Sequence, residues 1–297
     1  MFRVAQFSDT HFSTAGHRSH GGFGYDTDAA WEAVFAHAFE RDIHRSQTVD
    51  YVVVTGDIAD NGRADEYEIA ACQLARIPVP ANICSGNHDF QVPFDAGLPR
   101  PGLTQSRTLR IENWLFLFAD SNFGGRETAS DGSVHDREDR REESAEFGAR
   151  ERAWIAETLA VTDAEHGFIW AHHPPYARGL FNSETYNAEL ESLFADEPKL
   201  RGMGAGHTHT DIEFTVGQKT GFVCPALTVN IDFVNKTTLP PGYRTYEFFG
   251  DGTVHSTCHL LDDPQWRRRN LPDASIQWIL GEITFLEMRA ALGLPPQ

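Results

Sequence analysis

Five apolar runs in this chain end in side chains that carry chemistry: FRVAQFSDTH, YVVVTGD, ANICSGNHD, GFIWAHH and LRGMGAGHTH. A short apolar run closed by Gly, Asp or Asn reads as a strand buried on both faces. Helical patterns lie between them. Asp26, Thr27 and Asp28 can cap a helix that carries Trp31, Val34, Phe35, Ala38 and Phe39 on one face. Further helices are expected near residues 64–75 and 149–159. RTLRIEN and WLFLFAD predict a hairpin turning at Glu112 and Asn113, and EFTVGQKTGFVCPALTVNIDF with TYEFFGDGTVHSTCHLL supplies the remaining strands. Strands alternating with helices predict an α/β fold, in which ligands gather beyond the carboxyl ends of the strands.

The 297 residues suffice for one large core, and no internal repeat appears. Against 25 Lys and Arg stand 43 Asp and Glu, a net charge of -18 that repels nucleic-acid backbones and anionic membranes. Polymeric DNA or RNA is a disfavoured substrate on that ground. Cys72, Cys84, Cys224 and Cys258 form no C-x-x-C pair and are expected as reduced core residues of an intracellular protein. The N-terminal stretch has no basic region or cleavage site, and no segment approaches ~18 consecutive apolar residues. A cytoplasmic location without a membrane partner is the expectation.

Two segments interrupt the regularity. Residues 124–147 are highly charged and are expected to form a solvated loop, with a lid or subunit contact as the alternative. Residues 263–297 are expected as a C-terminal helical extension, in which Ile276, Ile279, Leu280, Ile283 and Leu286 make a stripe. That stripe suits packing on its own domain and also permits a homo-oligomer.

The strand ends carry the chemistry. Asp9 and His11 are two apart, as are His207 and His209, so on extended backbone each pair faces one way. Asp57 follows the second run, and Asn87, His88 and Asp89 follow the third. In WAHHPPY, neighbours on an extended chain point to opposite faces, which leaves open whether His172, His173, both or neither acts. Mixed nitrogen and oxygen donors without thiolate suit Zn, Mn, Fe or Co better than Ca.

D-x-H, GDxxD, GNHD, HHP and GHxH, in this order and each closing an apolar run, resemble the calcineurin-like metallophosphoesterase superfamily over roughly residues 1–262. The resemblance implies an α/β, four-layer α/β/β/α sandwich as the catalytic domain, with two divalent or transition metal ions between the sheets. It implies one metal held by Asp9, His11, Asp57 and His209, and a second by Asp57, Asn87, His172 and His207. Asp57 bridges them in that scheme, His173 serves positioning or packing, and His88, oriented by Asp89, contacts phosphate and gives a proton to the leaving group. Two divalent ions opposed by Asp9, Asp57 and a hydroxide leave the centre near +1, enough to attract a monoanionic diester despite the acidic surface.

GFVCPALTVNIDF followed by PPGYRTYEFFGDGTV resembles the class III cyclic-nucleotide phosphodiesterases and bacterial glycerophosphodiesterases. The implied function is a phosphodiesterase that cleaves small-molecule phosphodiesters by attack of a metal-bound hydroxide. A phosphomonoesterase or nucleotide pyrophosphatase on the same centre is the alternative; a scaffold that has lost catalysis predicts missing ligands, and none is missing. His17 and His20, in HRSHGGFGYD, either touch substrate or face solvent.

Overall fold

The computed structural model describes residues 1–14, 25–40, 49–89, 91–98, 100–121, 126–128, 134–136, 149–175, 188–232, 234–266, 268–279, 282–283 and 285–293. His17, His20 and most of the charged 124–147 segment lie outside these residues.

Strand β1 (Phe2–Phe7) is followed by α1 (Thr27–Phe35), where the Asp26 side chain accepts from Ala29 N–H at 2.9 Å as the expected cap. The helix continues as a π-helical turn at Ala36–Glu40. Next come β2 (Tyr51–Thr55), α2 (Ala64–Leu74), β3 (Ala81–Cys84), α3 (Gln91–Gly97), β4 (Leu103–Thr104), β5 (Thr108–Ile111) and β6 (Trp114–Phe118). The β5–β6 hairpin turns at Glu112, whose φ is 50°. A short ribbon of β7 (Arg126–Thr128) and β8 (Val134–Asp136) precedes α4 (Ala149–Val161), β9 (His166–Trp170), α5 (Ala188–Asp196) and β10 (Leu200–Ala205). The chain ends through β11 (Ile212–Val216), β12 (Lys219–Val223), β13 (Asn230–Asp232), β14 (Thr237–Leu239), β15 (Gly242–Phe248), β16 (Val254–Leu260), α6 (Asp273–Ile279) and α7 (Phe285–Ala291).

Two six-stranded sheets result, ordered β16-β15-β1-β2-β3-β4 and β11-β12-β10-β9-β6-β5. In the first, β1 to β4 are parallel, with β15 and β16 antiparallel at one side. In the second, β6, β9, β10 and β12 are parallel between antiparallel β5 and β11. Strand periodicity divides the side chains among three cores. Phe2, Val4, Val53, Trp114, Phe116, Phe168, Trp170 and Phe248 fill the space between the sheets. Ala5, Phe7, Val52 and Val54 face α1 and α2, while Leu115, Leu117 and Ile169 meet Ile155 of α4 and Phe194 of α5. This is the four-layer α/β/β/α sandwich that the motif order implies.

The aromatic filling dictates small residues opposite it. Phe116 and Phe248 have ring centroids 4.9 Å apart, and Trp170 and Tyr246 5.1 Å. On β10 the facing position is Gly204, where a Cβ would fall 2.3 Å from the Trp170 ring. One polar group crosses the same layer: Gln6 Nε2 donates to Thr55 Oγ1 at 2.7 Å and to the Ala205 carbonyl at 2.9 Å. It links β1 and β2 to β10 just before all three strands end.

Two expectations are corrected. The C-terminal stripe is not one helix but two short ones, with Ile276 buried and Leu286 62% exposed; Glu282 and Ile283 between them lie in neither helix. Of the four free cysteines only Cys224 is buried, whereas Cys72 is exposed and Cys84 and Cys258 are half-buried. Cys72 lies on the outer face of α2, where a small thiol needs no core. No helix among the described residues is long and apolar enough to cross a membrane.

Gly204→Ala should lower stability by about 1 to 3 kcal/mol, because the added methyl has no space beside Trp170. Urea unfolding would register this as a lower midpoint at unchanged slope; an unchanged midpoint would mean that the two sheets separate freely.

Candidate metal centre

Each expected ligand stands two to four residues beyond the end of a strand: Asp9 and His11 after β1, Asp57 after β2, Asn87 after β3, His172 after β9, and His207 and His209 after β10. The backbone there is not extended. Asp9, His11, Asp57, His207 and His209 have φ values of 53°, 43°, 50°, 69° and 50°, in the left-handed region where Asp and His are among the better-tolerated residues. The extended reading of D-x-H and H-x-H is therefore corrected: both members of each pair converge through left-handed turns. Held strain of this kind persists only where neighbours over-determine it. His11 N–H bonds to the Asp57 carbonyl at 2.9 Å, Asp9 N–H to the Gly56 carbonyl at 3.1 Å, and His207 N–H to Asp9 Oδ2 at 3.0 Å.

Two glycines allow the loops to close. A Cβ on Gly86 would lie 2.2 Å from Asp57 Oδ1, and one on Gly206 would lie 1.8 Å from Ser8 Oγ. Farther out, Arg244 of β15 pairs with Asp211, two residues past His209, and donates through Nε to the Val223 carbonyl at 2.8 Å. The GYR segment thus ties the first sheet to the loop that carries His207 and His209.

Four overlapping groups gather within 4.8 Å among their donor atoms: Asp9, His11 and His209; Asp9, Asp57 and His172; His11, Asp57 and His88; and His172, His173 and His207. Asp57 stands between two sides, with Oδ2 3.6 Å from His11 Nε2 and 3.3 Å from His172 Nε2. His209 Nε2 is 3.2 Å from Asp9 Oδ1. Asn87 Oδ1 lies 2.9 Å from His172 Nε2 and 3.1 Å from His207 Nδ1.

The outer nitrogens explain why the rings point inward. His172 Nδ1 meets the Thr55 carbonyl at 2.8 Å, His209 Nδ1 the Val229 carbonyl at 2.8 Å, and His11 Nδ1 the Asp60 carboxylate at 3.1 Å. An Nδ1–H spent on an oxygen leaves the Nε2 lone pair for a cation. Burial pushes the Asp57 carboxyl up, but His172, His88 and His11 outweigh it and hold Asp57 well below the usual carboxylate range. Asp9 is likewise lowered, against its burial, by His209. His172, opposed by burial, is raised to about 9 by Asp57. Burial and the neighbouring His173 and His172 keep His207 well below the ordinary histidine value. Two buried anions among inward imidazoles, each braced from behind, form a donor set that fits divalent ions.

Asn87 and His88 are half-buried, whereas Asp9, His11 and His172 are fully enclosed. The orientation expected for His88 is corrected. Its Nδ1 bonds to the Asp60 carbonyl at 2.7 Å, while the Asp89 carboxylate accepts from Gly86 N at 2.8 Å, Ile58 N at 3.1 Å, Ala59 N at 3.2 Å and Tyr67 Oη at 2.9 Å. Three loop amides and the Tyr67 hydroxyl thus draw the Asp89 carboxylate toward the loop after β2 and toward α2. WAHHPPY is corrected as well: β9 ends at Trp170, the chain bends, and the His172 and His173 rings lie 4.8 Å apart rather than on opposite faces. Asp60 and Ser121 were not foreseen as members of the site. Asp60 was legible as the last residue of GDIAD, three beyond Asp57, whereas Ser121 carries no motif.

Residues 2–211 match the family model described as calcineurin-like phosphoesterase. The chain is 26% identical over 274 residues to the 3',5'-cyclic adenosine monophosphate phosphodiesterase CpdA of Escherichia coli, covering 89% of this chain and 92% of that protein. It is 25% identical over 250 residues to the glycerophosphodiester phosphodiesterase GpdQ of Enterobacter lignolyticus, covering 80% and 81%. A dimetal phosphatase from Danio rerio superposes with a TM-score of 0.57 at 17% identity, covering 84% of this chain and 93% of the other, a likeness of fold.

Asp89→Ala should cost on the order of 3 to 5 kcal/mol, since it strands several buried donors at once. His88→Ala, at a half-buried position, should cost about 1 kcal/mol or less. Paired urea titrations test the contrast, and equal midpoints would remove Asp89 from its place as the clamp of these loops.

Proposed function

The chain belongs to the calcineurin-like phosphoesterase family and is a phosphoric ester hydrolase, and on that premise we propose that it cleaves small-molecule phosphodiesters at a centre of two divalent ions. The observation that carries this reading is Asp57, a buried carboxylate reached by His11 from one side and His172 from the other. Both imidazoles approach the same oxygen, Oδ2, while Oδ1 accepts from the His88 backbone N–H at 2.9 Å, so Oδ2 is the atom that would face both ions. In this reading Asp9, His11, Asp57 and His209 hold one ion, and Asp57, Asn87, His172 and His207 the other. When bound, two such ions supply a Lewis acid for the phosphoryl oxygens and lower the pKa of a coordinated water toward ~7.

The remaining work falls to the chain's own groups. Asn87 and His88 are half-buried at the edge of the cluster, which supports a role for them in contacting the ester. His88 donates its Nδ1–H to the Asp60 carbonyl, so its Nε2 is the nitrogen that would face the leaving group. Burial disfavours its charged form, but Asp57 and Asp60 outweigh burial and raise its pKa above the ordinary histidine value. The similarity to phosphodiesterases of cyclic adenosine monophosphate and of glycerophosphodiesters supports a small diester over a polymer, and the net charge of -18 agrees. A cytoplasmic location remains part of this proposal.

Protein loaded with Mn or Zn should cleave bis(p-nitrophenyl) phosphate with a higher kcat/KM than p-nitrophenyl phosphate. The reverse order would favour the phosphomonoesterase alternative and overturn the diester reading. In the same assay, His88→Ala should retain its metals and lose ~10²- to 10⁴-fold in rate with an alkoxide leaving group, and less with nitrophenolate. An equal loss with both leaving groups would exclude His88 as the proton donor.

A further inference from the structure

His173 has no part in the reading above, yet it is 1% exposed and packed against the centre. Its ring centroid lies 4.3 Å from that of His207 and 4.8 Å from that of His172. Two bonds tie it to Ser121, which follows β6. The His173 backbone N–H donates to Ser121 Oγ at 3.0 Å, and the ring Nδ1 lies 2.9 Å from the same oxygen.

Counting protons assigns the ring's tautomer. The Ser121 hydroxyl is fully buried, already accepts the backbone N–H, and has one proton to give. Nδ1 is the acceptor it has among the described residues. If Nδ1 kept its own proton, the hydroxyl would become a buried donor without a bond. Nδ1 therefore accepts, and the ring's proton sits on Nε2. This is the reverse of His172 and His209, whose Nδ1–H groups go to carbonyls and whose Nε2 lone pairs face inward.

The His173 Nε2 is buried and has no hydrogen-bond partner among the described residues. A protonated nitrogen cannot ligate a metal, because the ligand must offer its lone pair. It can donate to an oxygen. The oxygens that a phosphoric ester brings into this space carry negative charge and only accept. We propose that His173 contacts substrate directly, its Nε2–H donating to a non-bridging phosphoryl oxygen beside the second ion's position, with Ser121 fixing the tautomer. The inference deepens the reading of the centre as a phosphoric-ester site and rests on it. A donor of this kind strengthens the hold on the phosphoryl group without placing another ligand on the ion.

Two substitutions separate the edges of the ring. His173→Gln carries an amide N–H to the ε position, whereas His173→Asn keeps a partner for Ser121 at the δ position and loses the ε donor. Mn-loaded protein is titrated with inorganic phosphate by calorimetry, and metal content is measured by mass spectrometry. Both variants should keep the wild-type metal content. His173→Gln should bind phosphate within about 3-fold of wild type and His173→Asn about 10-fold more weakly, the effect of one hydrogen bond to a charged acceptor. Ser121→Ala, which leaves His173 in place, should also weaken phosphate binding while keeping the metals. Loss of a metal ion from His173→Asn would make His173 a ligand and overturn the proposal. So would wild-type phosphate affinity in His173→Asn and Ser121→Ala. Phosphate binding is read without turnover, so a failure of the diester reading, seen as no cleavage by the wild type, stays distinct from a failure of this one.

Discussion

Two carboxylates, Asp9 and Asp57, are buried at the seam between the sheets, and a buried anion must be compensated. The compensation comes from imidazoles on both sheets: His209 against Asp9, and His11 and His172 against Asp57. None of these groups can withdraw to water. The aromatic layer between the sheets sets the separation of the strand ends, and Gln6 bonds β1, β2 and β10 together immediately before them. The strained φ values at Asp9, Asp57 and His209 are what it takes to turn short side chains from separate strands toward one point.

That arrangement explains why the loops are so heavily braced. Asp89 gathers the amides of Gly86, Ile58 and Ala59, and Arg244 fastens the loop after His209 to the opposite sheet. Neither needs to touch substrate to matter, since displacing a donor by ~1 Å would change the geometry offered to a cation. Ser121 does for His173 what the Thr55 and Val229 carbonyls do for His172 and His209, with the opposite result for the inward nitrogen.

Much of the architecture was legible because its signals are local. The buried strands were visible as apolar runs, the Asp26 cap and the Glu112 turn as short-range chemistry, and the ordered motifs implied both the sandwich and the residues that the loops bring together. What sequence spacing misjudged was backbone conformation beyond the strand ends. D-x-H reads as extended by period alone, yet Asp9 and His11 are left-handed, because contacts from the β2 loop override local preference. The same limit applies to His172 and His173, which a bend brings side by side. The resemblance implies that Asp89 orients His88, while the partners of Asp89 include Ile58 and Tyr67, 31 and 22 residues away. Short or weakly patterned elements, β4, β14 and α3, left no clear trace in the sequence.

The central claim is that Asp57 joins two ions, and anomalous diffraction from Mn-loaded crystals addresses it most directly. The account predicts two anomalous peaks ~3.5 to 4 Å apart, one on each side of the Asp57 carboxylate. One would lie toward Asp9, His11 and His209, and the other toward Asn87, His172 and His207. A single peak, or a pair that does not share Asp57, would contradict it.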